Sequence, residues 1–170
     1  NSLQDLWLEG RGGGNRFESY DLPWYFAAER TATDAWDKRG KKGYLFTIGD
    51  EPPPPATPYS CARFENVFGP VQDSSTYNSR VALTNAQEKY NVFHIVVEQG
   101  NHCQHHGASS VIREWSSLLN KRTLPLDNYQ HLSELIIAAI EVNEGADPVD
   151  IIKGHQDDAV RKTLHHAFGA

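Results

Sequence analysis

Three short stretches carry side chains that could do chemistry. The first is Gly49-Asp50-Glu51, directly after the apolar run Gly43–Ile48. A carboxylate at a strand end is a hard oxygen ligand, suited to Mg2+ or Ca2+. In open parallel sheets, ligands gather beyond the carboxyl ends of the strands. The plainer role for Asp50 is a turn residue or a helix cap. The second stretch is His102-Cys103-Gln104-His105-His106. Imidazole and thiolate are zinc ligands, but structural zinc sites draw on separated pairs, and adjacent residues rarely converge on one ion. These residues therefore read as a polar loop, Glu98–Gly107, whose His102 and His105 rim the same edge as Asp50. The third stretch is Gly10-Arg-Gly-Gly-Gly-Asn15. So many glycines exclude a helix or strand interior and mark a loop whose backbone, at Gly13 and Gly14, can approach a ligand closely. It lacks the Lys-Ser/Thr ending of a phosphate loop. There is no Gly-x-Ser-x-Gly, and Cys103 has no visible orienting partner, so nucleophilic catalysis is poorly supported.

Alternating strands and helices must position these stretches. Gly43–Ile48 and Asn91–Val97 are compact runs rich in β-formers, the pattern of strands buried on both faces. Arg122–Leu126 is a shorter strand, whose Pro125 suits an edge or strand end. Ahead of the first strand, Ser19 or Asp21 could cap a helix running to about Thr31, with Thr33–Arg39 a polar continuation or turn. The spacing predicts further helices over 81–90, 109–119, about 129–143, 148–153 and 157–168, while 60–69 reads as helix or turn. Pro52 to Pro55 blocks both helix and ladder. Trp7, Trp24, Trp36 and Trp115 read as core or interface anchors. The order implies a largely parallel sheet covered on both faces.

The chain has 170 residues, enough for one domain with a real core. It carries 16 Lys+Arg against 22 Asp+Glu, a net charge of −6, which disfavours a broad nucleic-acid or anionic-membrane surface. No apolar stretch approaches the ~20 residues that span a bilayer, and the start has no signal-peptide pattern. Two cysteines, Cys61 and Cys103, make no disulfide framework; free thiols and a cytoplasmic, reducing setting are expected. The chain begins with Asn and contains no Met, so further residues are expected before it.

Several ordered blocks resemble one family. Gly12-Gly-Gly-Asn15 with Glu18-Ser-Tyr20, Trp24-Tyr-Phe-Ala-Ala28, and Lys41-Lys-Gly-Tyr-Leu-Phe-Thr-Ile-Gly-Asp-Glu51 are similar to bacterial and phage-type proteins with a von Willebrand factor A domain. Tyr90–Val97, Val111–Trp115, Leu124–Leu126 and Ile140–Gly145 fit as well. Members of this set are mostly uncharacterised. The resemblance implies a three-layer, Rossmann-like α/β fold, with 1–145 forming the C-terminal two-thirds of the domain and 146–170 a helical extension. It also implies a divalent ion, usually Mg2+ and otherwise Mn2+ or Ca2+, above the strand ends. Asp50 matches the acid after the fourth strand. The loop that supplies a Thr ligand falls at Gly10–Asn15, where no Thr stands, so Asn15, Ser19 or Glu18 would substitute. Glu51 would support the ion from behind Asp50. The Asp-x-Ser-x-Ser segment is missing; Asp73-Ser-Ser-Thr-Tyr77 is the nearest imitation and lies in the wrong place. In the family that segment, and a central strand with it, would lie upstream of Asn1.

The expected function is a protein-binding module in which the metal bridges to a partner's carboxylate. Neither nucleic acid nor membrane is an expected partner, and the oligomeric state stays open. Two rivals stand beside it: a metal-dependent hydrolase using Asp50 and the His102–His106 stretch, and a structural assembly subunit with a degenerate metal site.

Overall fold

A computed structural model of the chain describes residues 18–57, 59–71 and 76–169, with only the backbone of 59–61. Three strands, β1 (Gly43–Gly49), β2 (Tyr90–Val97) and β3 (Thr123–Leu126), form one sheet in that order, with both pairings parallel. Each run expected to be a strand is one. Alternation on β2 explains why it reads as almost continuously apolar. Tyr90, Val92 and Val96 enter one core, and Phe93 and Ile95 enter the other. Both faces are buried, so both parities must be hydrophobic.

The first face is covered by α1 (Asp21–Glu29), α3 (Tyr59–Phe68), α4 (Ser79–Lys89) and α6 (Ala108–Leu119). The strands are laid down in one direction across the sheet. The fixed hand of parallel crossovers then puts α4 and α6 on the same side. α6 buries Val111, Trp115 and Leu119 at spacings of four along one stripe. The second face is covered by α7 (Leu132–Asn143), α8 (Pro148–Gly154) and α9 (Asp158–Phe168). Ile152, Val160 and Leu164 join Leu124, Leu126 and Leu135 in a single cluster, so the C-terminal helices complete the core of this face.

Three local features differ from the sequence reading. Residues Asp34–Arg39 form a helix, α2, because Thr33 accepts from the Trp36 N–H and Gly40 ends it at φ 60°. α1 begins at Asp21 with no capping side chain at its N-cap, Tyr20; Asp21 is instead fully buried and pairs with Arg63 of α3. Residues Asn101–His106, expected as loop, form a short helix, α5, whose origin lies at the candidate site.

Candidate functional site

Asp50 follows β1 at the carboxyl edge of the sheet, and the backbone beside it is tightly fitted. A Cβ on Gly49 would sit 2.8 Å from Tyr20 Cζ and closer still to its hydroxyl, so only glycine lets Tyr20 reach this edge. A Cβ on Gly100 would collide with the Asp50 side chain. The His102 N–H donates to Asp50 Oδ2 at 2.7 Å, and the Cys103 thiol donates to the Asp50 carbonyl at 3.2 Å. Gly100, the N-cap of α5, has no side chain to offer. Asp50 supplies that cap from the turn after β1, which is why a polar, histidine-rich segment becomes helical. Burial and the neighbouring charges of Asp50 and Glu98 push the Cys103 thiol up to about 11. It is a buried structural group rather than a nucleophile.

Glu51 is held through its backbone. Its carbonyl accepts from the Trp115 indole N–H at 2.9 Å, while its Oε2 is buried with no hydrogen-bond partner. The Tyr20 hydroxyl is likewise buried, with the Glu51 backbone near it and no side-chain partner. Burial pushes that phenol well above its usual range, and the charges of Glu18, Asp50 and Glu51 all push the same way. Ser19 adjoins Tyr20 and is half-buried, with its carbonyl accepting from the Leu22 N–H at 3.0 Å.

Beneath this edge runs a polar row across the sheet. Thr47, His94 and Thr123 are register partners on three adjacent strands, and all are buried. His94 Nδ1 and Thr47 Oγ1 are 2.8 Å apart. The imidazole lies flat on the Trp115 ring at 3.5 Å, with Tyr20 edge-on at 4.8 Å. His94 Nε2 and Thr123 Oγ1 have no partner. Burial pushes the His94 pKa down to about 3, so the ring is neutral.

The other strands end similarly. Glu98 follows β2 and pairs with His166; Asp127 follows β3. The Thr163 hydroxyl donates to Asp127 Oδ1 at 2.6 Å and lies 2.8 Å from His131 Nδ1. Around them Gln99, Asn128, Tyr129 and Lys162 line a polar cleft of about 500 Å3. Sequence reading missed Asp127, His131 and Thr163 as a group. The only available signal was an acid directly after a strand.

Among the expected residues, then, Asp50 and Glu51 follow β1 at the edge that Tyr20 reaches, while Ser19, half-buried, and Glu18, exposed, precede Tyr20 in the chain. His102 joins Asp50 through its backbone. Its ring turns to His106, with centroids 4.5 Å apart, while His105 Nδ1 lies 2.7 Å from the Asn101 carbonyl and stays exposed. Gly13, Gly14 and Asn15, and the Asp73–Ser75 imitation, lie outside the described residues. Among the described residues, no three His, Cys, Asp or Glu side chains form a ready cation cage. Glu51 Oε2, a buried carboxylate oxygen without a donor and next in sequence to Asp50, is the kind of group a hard cation could compensate. No helix among the described residues is long and apolar enough to cross a membrane. Comparison with protein-family models, with curated proteins and with solved structures finds no match.

Proposed function

We propose that the chain is a protein-binding module of von Willebrand factor A type, working in the cytoplasm, whose recognition surface is the carboxyl edge of its parallel sheet. A divalent cation, Mg2+ or alternatively Mn2+ or Ca2+, would be held there by Asp50 with Ser19 and with Asn15, which lies outside the described residues. Glu51 and Glu18 supply charge from behind. The cation's chemistry would be that of a bridge, accepting a partner's carboxylate as a further oxygen ligand. The Asp50–Thr57 loop and α5 would shape the rim, and the glycine-rich Gly10–Asn15 segment, outside the described residues, would complete it. The net charge of −6 fits a protein partner better than a nucleic acid.

The observation that carries this reading is the buried Glu51 Oε2, which lacks a donor, next in sequence to Asp50 at the carboxyl edge of the sheet. A buried carboxylate oxygen without a donor is costly unless something positive compensates it. The test is thermal unfolding during Mg2+ and Mn2+ titration. At a hundredfold excess over Kd a bound ion adds about 2.7 kcal/mol and raises Tm. Asp50→Ala and Ser19→Ala should each remove that rise, and a flat titration of the unaltered chain would exclude the ion.

One observation favours a second reading. His102 and His106 lie one helical turn apart on α5, with their rings adjacent. Zinc bound there with an open position beside Asp50 would make the rim hydrolytic rather than adhesive. Stabilisation by Zn2+ that His106→Ala abolishes, without any response to Mg2+, selects that reading. Silence toward every ion selects a structural assembly subunit.

A further inference from the structure

The opposite edge of the sheet holds a feature that the proposed rim does not use. At the amino end of β3, between the close of α6 and the ends of α7 and α9, lies a cleft of about 580 Å3. That volume lies within the range of small-molecule sites. Its walls include Phe93, Leu124, Ala139, Val142 and Phe168. Arg122 stands at its side, with the guanidinium carbon 5.7 Å from the Phe93 ring centroid.

The company Arg122 keeps is unusual for a guanidinium so placed. Its Nη2 donates to two neutral amide oxygens, Asn91 Oδ1 at 3.0 Å and Asn143 Oδ1 at 3.4 Å. Among the described residues it forms no ion pair. The carboxylate of the adjoining segment, Glu144, is taken by the Tyr44 hydroxyl. Two amides thus fix the orientation of the guanidinium without neutralising it, and its Nη1 and Nε donors have no protein acceptor among the described residues. The flexible Lys121 beside it adds positive charge and is exposed. Asn120, on the same rim, is the one non-glycine described residue with positive φ, at 52°. Backbone held in a sparsely populated region persists where the surroundings over-determine it, as at ligand clamps.

We infer that this cleft binds a small amphiphilic monoanion, a carboxylate on a flat apolar body, with Arg122 receiving the carboxylate and the Phe93–Leu124–Val142 wall receiving the body. The guanidinium's Nη1, which has no acceptor among the described residues, can give a carboxylate a charge-assisted hydrogen bond. The apolar wall rejects a bare inorganic anion, and one fixed cation is too few for a polyanion. The site is independent of the metal reading, since it stands at the other end of the strands.

Calorimetric titration of the full chain with 2-naphthoate, and with the neutral 2-naphthamide, tests the inference. The naphthoate should bind saturably with Kd below about 100 µM. The amide should bind at least about tenfold more weakly, because it loses the charge-assisted pair. Arg122→Gln should bring naphthoate down to the level of the amide. Val142→Trp, which fills the cleft and leaves the Arg122 contacts intact, should abolish binding of both; this variant decides the matter if Arg122→Gln fails to unfold cooperatively. Equal binding of the two probes, survival of naphthoate binding in Val142→Trp, or no saturation by about 1 mM overturns the inference.

Discussion

Replacing His94 with phenylalanine should change how the protein answers acid. The imidazole is buried, stacked on Trp115, and held neutral by burial, with its pKa pushed down to about 3 from an ordinary 6.5. In the unfolded chain the same ring takes a proton as pH falls through 6.5. Between those two values the unfolded state binds more protons than the folded one, so stability falls as pH falls. The contribution is fully present above 6.5 and is lost progressively down to the folded value. Each pH unit in that window removes about 1.4 kcal/mol. Acidification from 6.5 to about 5 therefore removes about 2 kcal/mol, a large part of a typical domain's 5–15. Phenylalanine keeps a flat ring against Trp115 and cannot titrate; Thr47 retains the Phe93 carbonyl as an acceptor at 3.3 Å. Urea unfolding followed by circular dichroism at several pH values gives stability against pH for both proteins. Asp21 acts in the opposite sense. Burial raises its folded pKa, so stability from that group grows as pH falls, and because both proteins carry it, it cancels in their difference. The difference between the curves should open by about 2 kcal/mol over that interval. Parallel curves would refute the assignment of a dry, uncharged ring beneath Trp115.

Other outcomes follow from the Asp50 edge. Gly100→Ala drives a methyl into the Asp50 carboxylate and should cost about 1–3 kcal/mol, read as a fall in the denaturation midpoint at constant m-value. Asp50→Ala removes the acceptor of the His102 N–H; amide exchange should accelerate across 101–106 while β2 keeps its protection, with a loss of about 1–2 kcal/mol in global stability. In a Cys61→Ser background, burial and a thiol pKa pushed up to about 11 should make Cys103 nearly inert to iodoacetamide at neutral pH, and unfolding in urea should release it.

The strands were legible because each is a compact apolar run, the first of them bounded by glycine, and two-sided burial leaves little room for another reading. Their parallel pairing followed from the helices between them. What escaped was whatever depends on register or on distant partners. His94 stands out as a polar residue in an apolar strand, yet its relation to Thr47 and Thr123 exists only once three strands are aligned residue by residue. α5 escaped because its cap comes from Asp50, fifty-two positions away in sequence. The Asp127–Thr163–His131 chain escaped because Thr163 belongs to a helix that looks like any amphipathic one. Trp115 was expected to be an anchor, and it is one, but sequence did not show that its two ends hold different things.

That double attachment makes Trp115 an optical reporter supplied by nature. Its ring face lies on the sheet at His94, and its N–H is tied to the carbonyl beside Asp50. Any ligand that tugs on the Asp50–Glu51 turn alters the indole's hydrogen bond, and so its emission. With Trp7, Trp24 and Trp36 replaced by phenylalanine, occupancy of the rim could be followed by fluorescence without a dye or a tag.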